Sequence, residues 1–91
     1  MKISFDPVKR ERALRERGLD FMDTPEVFSG PNYRFVDDRF DYGETRFVVF
    51  GLFRGRVVAV VYTEDGHVMR VISARKATKN EEREYFDQVR H

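Results

Sequence analysis

Two regimes of hydrophobic patterning divide the chain. As far as Ser29 the apolar residues are sparse and set among charges; from Tyr33 onward they gather in runs with the two-residue period of strands. At the start, Ile3-Ser4-Phe5 has the composition of a short strand. Asp6-Pro7 then supplies a helix cap followed by a first-turn proline, and Gly18 is a natural left-handed stop. Between them Val8 and Leu14 are the few apolar anchors among Lys9, Arg10, Arg12, Arg15 and Arg17, so most of this helix is expected to be basic surface. A second, short helix is predicted near Phe21 to Phe28. Pro25 has no N–H to donate, so it should stand in the first turn behind a cap at Asp23 or Thr24.

After Gly30-Pro31 the text becomes strand-like: Tyr33 to Val36, an acidic loop through Asp37, Asp38 and Asp41, then Arg46 to Phe53. Arg54-Gly55 and Asp65-Gly66 are tight-turn signals joining Phe47–Phe53, Val57–Thr63 and Val68–Ala74, which predicts an antiparallel meander. The run Val57-Val58-Ala59-Val60-Val61 is apolar on both alternating faces, so this strand should be covered above and below. Thr78-Lys79-Asn80-Glu81 has the spacing of a capping box, in which hydroxyl and carboxylate satisfy each other's backbone donors, and it opens a C-terminal helix with Phe86 and Val89 facing inward. The predicted order is β-α-α-β-β-β-β-α, an α+β fold with a meander sheet backed by two N-terminal helices and one C-terminal helix.

Composition narrows the class. The 91 residues, 41% hydrophobic, fit one domain spanning residues 1–91. No apolar stretch is long enough to span a bilayer, and the N-terminus lacks the apolar core of a signal peptide, so a cytoplasmic protein with no membrane partner is expected. The absence of cysteine excludes disulfide scaffolds and thiolate zinc sites. The net charge of +1 conceals a division: residues 1–18 carry six basic and three acidic groups, residues 19–44 two and seven, and residues 45–91 nine and six. Basic ends suit a polyanion, while the acidic middle suits a basic partner or simple solvation.

A set of spaced residues adds specificity. Phe5-Asp6-Pro7 with Lys9, Leu14 and Gly18, then Phe21 and Phe28, then Glu44-x-Arg46-Phe47, lead to Arg70-Val-Ile-Ser-Ala-Arg75-Lys-Ala-Thr78 followed by Glu81 and Tyr85. Together these resemble the BrnT family of ribonuclease toxins across nearly the whole chain. Phe5 stands where that family often has tryptophan, and Thr24-Pro25 replaces an alanine-rich stretch. The resemblance implies a RelE-like fold and RNA cleavage without a metal cofactor. It also implies neutralisation by a BrnA-like antitoxin that itself binds operator DNA, with a homodimer of the toxin possible inside that complex.

Metal-free RNA cleavage needs the 2′-hydroxyl deprotonated, the phosphorane charge stabilised and the leaving oxygen protonated. Arg70, Arg75 and Lys76, on or just past the last strand, suit a scissile phosphate, with Arg75 the leading candidate. Strict alternation puts Arg70 and Arg75 on opposite faces, so a bend near Ala74 is required for them to converge. The alternative for either arginine is an ion pair with Glu44 or Glu81. Glu44 and Arg46, two apart, form either a base-and-clamp pair or a plain salt bridge. Tyr85 could donate its hydroxyl or stack on a base, against a core role beside Phe86. Lys9, Arg10 and Arg12 could track an RNA backbone or simply be solvated. His67 beside a turn and the terminal His91 carry less weight. Asp37, Asp38, Asp41 and Glu44 could hold magnesium, but their spacing matches no calcium loop and an acidic docking or solvated loop accounts for them; no metal and no cofactor is assigned. A non-enzymatic RelE-like binding module acting on a protein or nucleic acid is the second class of reading.

Overall fold

Caps and turns set the element boundaries in the computed structural model, which describes residues 2–90. In chain order these are β1 (Lys2–Ser4), α1 (Pro7–Arg17), a 3-10 helix (Phe21–Phe28), β2 (Asn32–Asp37), β3 (Arg46–Phe53), β4 (Arg56–Asp65), β5 (Val68–Lys76) and α2 (Lys79–Val89). His91 lies outside the described residues. The Asp6 carboxylate accepts the Val8 N–H at 2.9 Å, and Gly18 closes α1 at φ 68°. The α2 capping box forms in full, Thr78 and Glu81 satisfying each other's backbone N–H groups.

The segment Phe21–Phe28 is a 3-10 helix throughout, capped by Asp20 rather than by Asp23 or Thr24, with Pro25 inside it. The reason is local. An α-helix would need the residue-25 N–H to reach the Phe21 carbonyl, and proline has none. The Thr24 hydroxyl donates to that carbonyl instead, at 2.7 Å.

The sheet order is β1-β5-β4-β3-β2. Strands β2 to β5 form the expected antiparallel meander, and β1 lies parallel to β5 with Lys2 opposite Val68 and Ser4 opposite Arg70. Strand β4 is indeed covered on both faces. On one side Val58, Val60 and Tyr62 join Val49, Met69 and Val71 beneath Ala13, Phe21 and Val27. On the other, Val57 and Ala59 join Val48 and Phe50 beneath Tyr85.

Three expected anchors are displaced. In α1 the buried residue is Ala13, while Val8 is 66% and Leu14 46% exposed. Helical spacing puts Arg10, Ala13 and Arg17 on one face. Ala13 allows close approach, and the flanking arginines tie the helix down: Arg10 donates twice to the Asp20 carboxylate, at 2.7 and 2.9 Å, and Arg17 once to the Ala74 carbonyl at 3.2 Å. In α2 it is Tyr85 that is buried; Val89 packs inward beside it as expected, whereas Phe86 is 40% exposed.

Gly51 fixes the 3-10 helix against β3. A Cβ there would meet the Val27 carbonyl oxygen at 2.7 Å and the Val27 Cβ at 2.9 Å. Gly51→Ala should therefore cost about 1–3 kcal/mol through overpacking, read as a Tm lowered by roughly 5 °C or more. The Asp20 carboxyl is held at about 2, below its ordinary 3.8, chiefly by the Arg10 hydrogen bonds. A carboxyl depressed on folding stabilises above its unfolded pKa, and the contribution drains away as pH falls toward the folded value. Denaturation midpoints of the parent should therefore exceed those of Asp20→Asn near neutrality, and the gap should close between roughly pH 4 and 2.

Candidate active site

Helix α2 covers only part of its sheet face. The uncovered part is a groove of about 370 Å³ lined by Phe35, Val48, Phe50, Val61, Ser73, Arg75 and Glu81, with Asp37, Asp38 and Arg39 on the β2 side. Its floor is apolar because these β3 and β4 positions alternate toward α2. Its rim is charged because strand ends and loops supply it.

Arg75 and Arg70 reach this face together through a β-bulge. Ser73 stands opposite Val61 and Val71 opposite Tyr62, which leaves Ile72 without a partner. One extra residue reverses the alternation beyond it. Arg70, opposite Thr63, therefore shares a face with Ser73, opposite Val61, and Arg75, opposite Ala59. The convergence that strict alternation forbids is achieved, but the irregularity is at Ile72 rather than near Ala74.

The Arg75 guanidinium makes a two-pronged ion pair with Glu81, 2.6 Å from Nη1 to Oε1 and 2.9 Å from Nη2 to Oε2. Its Nη1 also donates to the Lys76 carbonyl at 3.3 Å. Hydrogen bonding to Arg75 is the largest influence holding the Glu81 carboxyl at about 2, and the same bond raises the Arg75 pKa. Glu81 thus does two jobs: its Oε1 also accepts the Thr78 N–H at 2.9 Å, tying the arginine to the first turn of α2. Of the two anticipated acidic partners, Glu81 takes Arg75, whereas Glu44 accepts from Arg46 Nε at 3.4 Å. No ion pair to Arg70 forms among the described residues.

The far end of the groove is organised by Asp37. Its buried carboxylate accepts Arg39 Nε at 2.9 Å, Arg39 Nη2 at 3.0 Å, the Arg39 backbone N–H at 3.3 Å and the Tyr42 hydroxyl at 3.2 Å. These donors, the Arg39 side chain foremost, hold the acid at about 2. Arg46 stands opposite Asp37 in the sheet and lies over the Tyr42 ring at 4.0 Å. Two of the four acids of this loop are thus paired to arginines two residues on, Asp37 to Arg39 and Glu44 to Arg46, and Asp41 accepts the Gly43 N–H. Among the described residues, no three His, Cys, Asp or Glu side chains form a group that could hold a metal ion.

The remaining candidates lie elsewhere. Tyr85 is buried and its hydroxyl donates to the Pro31 carbonyl at 2.7 Å, so the ring fastens α2 to the start of β2 and has no access to the groove. Burial pushes its pKa upward. Lys9, Arg10 and Arg12 ride on α1, which packs against the opposite sheet face, and Arg10 is committed to Asp20. Lys76 borders a separate hollow shared with Glu16, Arg17 and Arg75, so positive charge continues from the groove around the sheet edge. His67 occupies the β4–β5 turn, beside Gly66 and Glu64. Sequence reasoning overlooked Phe35, Arg39 and Ser73. The Asp37-x-Arg39 spacing, identical to Glu44-x-Arg46, was a usable signal, because an Asx side chain readily pairs two residues on.

No curated protein matches. The family model described as "Ribonuclease toxin, BrnT, of type II toxin-antitoxin system" matches residues 5–81. The crystal structure of the Brucella abortus ribonuclease toxin BrnT is similar at 32% identity and a TM-score of 0.66, covering 87% of this chain and 99% of that one. No described helix is long and apolar enough to cross a membrane. With family model and fold in agreement, the chain belongs to the BrnT family, the ribonuclease toxins of type II toxin–antitoxin systems.

Proposed function

We propose that the groove is the catalytic centre of an endoribonuclease that cleaves RNA without a metal cofactor and so inhibits translation. The observation that carries this reading is the bulge at Ile72, which aligns Arg70, Ser73 and Arg75 on one open face. In the reaction a ribose 2′-hydroxyl attacks the adjacent phosphate, the P–O bond to the next nucleotide breaks, and a proton must leave the first oxygen and reach the second. Negative charge builds on the phosphorane meanwhile. Arg75 stabilises that charge, pre-oriented by Glu81, since a guanidinium fork matches two phosphate oxygens as it matches two carboxylate oxygens. Arg70, without an ion pair among the described residues, supplies a second cation to the same strand of RNA.

Glu44 and Arg46 act as a pair: the exposed carboxylate accepts a proton and Arg46, 3.4 Å away, orients it. Lys76 extends the phosphate track past Arg75, and the exposed Lys9 and Arg12 add to the long-range attraction for RNA without touching the scissile bond. Membership of a toxin–antitoxin family implies an RNA substrate and an antitoxin partner. A BrnA-like antitoxin neutralises the toxin by covering the groove, and operator DNA is reached only through that partner.

Incubated with end-labelled RNA in excess chelator, the parent should cleave, and a folded Arg75→Ala variant should be slower by roughly 100-fold or more, the loss typical of removing one charge-stabilising donor. Activity that disappears in chelator, or that survives intact in the variant, overturns the assignment. Expression in bacteria should arrest growth, and co-expression of the small DNA-binding protein from the adjacent gene should relieve the arrest.

A further inference from the structure

The wall of the groove opposite Arg75 carries features that charge stabilisation does not use. Three aromatic rings on β2 and β3 form a continuous layer. Tyr33 and Phe50 stack at 6.3 Å with 16° between planes, and Phe35 stacks on Phe50 at 6.0 Å and 28°, with Tyr33 5.5 Å away. Phe50 is buried and Tyr33 half-buried, but Phe35 remains 40% exposed at the groove surface.

Four residues further along the chain, the Arg39 side chain is 71% exposed although its guanidinium is fixed. Nε and Nη2 are committed to Asp37, leaving the Nη1 end free. Asp37 is itself held by Tyr42, so the arginine is braced rather than merely tethered. Arg39 also lies near enough to Arg75 that the two cations repel across the groove, a minor influence on Arg75 beside Glu81 but one that an anion between them would reverse. Each of these arginines is paired to a carboxylate and Asp38 also lines the groove, so an anion is held there by the guanidinium N–H groups that Asp37 and Glu81 leave unused rather than by an excess of positive charge.

We infer that Phe35 and Arg39 form a nucleotide subsite that selects unpaired RNA, Phe35 stacking on a base beside the scissile phosphate while Arg39 holds a neighbouring phosphate. The inference rests on the reading of the groove as the site of RNA cleavage and specifies which form of RNA it takes. A ring on the wall of an open groove can meet the face of a base only if that base has left its own stack, which loops and single strands allow and a duplex does not. Stacking of this kind is indifferent to base identity, because every base presents a π-face. The occupant is thus a flexible, unpaired strand, with selectivity for structure rather than sequence. Asp37 is a positioning residue in this scheme: it meets no RNA, but without it Arg39 loses its direction.

The chain contains no tryptophan, so Phe35→Trp introduces a single reporter at the subsite. A short 2′-O-methylated oligoribonucleotide, which lacks the attacking hydroxyl, serves as an uncleavable probe. Single-stranded probe should quench the Phe35→Trp fluorescence and the same sequence annealed to its complement should not. Val8→Trp, on the exposed face of α1, should respond to neither. Phe35→Ala should weaken single-strand binding by about ten-fold or more, the scale of one lost base stack, and Phe35→Tyr should restore it. Asp37→Asn should weaken binding while circular dichroism stays native. If labelled single strand binds the folded Phe35→Trp protein with unchanged fluorescence, and Phe35→Ala binds as tightly as the parent, the subsite is overturned. RNA cleavage that still depends on Arg75 would then leave the catalytic reading standing. If the folded parent neither binds the probe nor cuts RNA, both readings fall, and a response of Phe35→Trp to the antitoxin alone would reassign the ring to that interface.

Discussion

Everything about this fold follows from having to bury both faces of β4. The run Val57 to Tyr62 is apolar on both faces, and the two sides are covered unequally, with Val61 only partly buried. Helix α1 and the 3-10 helix together close one face. On the other a single helix of 11 residues, α2, lies against the sheet. At 1.5 Å per residue it spans roughly 16 Å, about half the roughly 33 Å length of a ten-residue strand. The shortfall is the groove. An apolar floor reaches the surface there because the helix that would have covered it ends, and the N-terminal turn of that helix, with Glu81 in it, becomes the groove wall.

The ion pairs around the groove serve geometry more than stability. Partly exposed pairs contribute at most about 1 kcal/mol each, yet two of them fix arginines in poses that their long side chains would not hold unaided. Glu81 joins Arg75 to the capping box of α2, and Asp37 joins Arg39 to Tyr42 and the β2–β3 loop. In both cases the carboxylate engages only part of the guanidinium and so fixes the direction of the N–H groups it leaves unused. Pre-orientation of this sort matters for charge stabilisation, since a donor already in place does not have to reorganise as charge develops. The same economy explains why α1 needs so few apolar contacts: Arg10 and Arg17 dock it by hydrogen bonds around one buried alanine.

Local chemistry was legible from the chain. Asp6, Pro7 and Gly18 bound α1, Thr78 and Glu81 open α2, and the two tight turns dictate the order of β3, β4 and β5, because each depends on residues close in sequence. The resemblance to the ribonuclease family was likewise visible in residue spacing. Even the dual coverage of β4 could be read from its lack of polar alternation. The sequence by itself therefore determined the elements, their order and the family. Tertiary structure decided which side chains meet. It inserted Ile72 as an unmatched residue, and so put Arg70 and Arg75 on one face, because register against β4 is set by packing on both sides of the sheet rather than by β5 alone. It turned Ala13 and Tyr85 inward in place of Leu14 and Phe86, because helix rotation is fixed by the surface underneath. It left Phe35 uncovered beside Arg39, because where α2 ends over the sheet depends on the whole packed assembly.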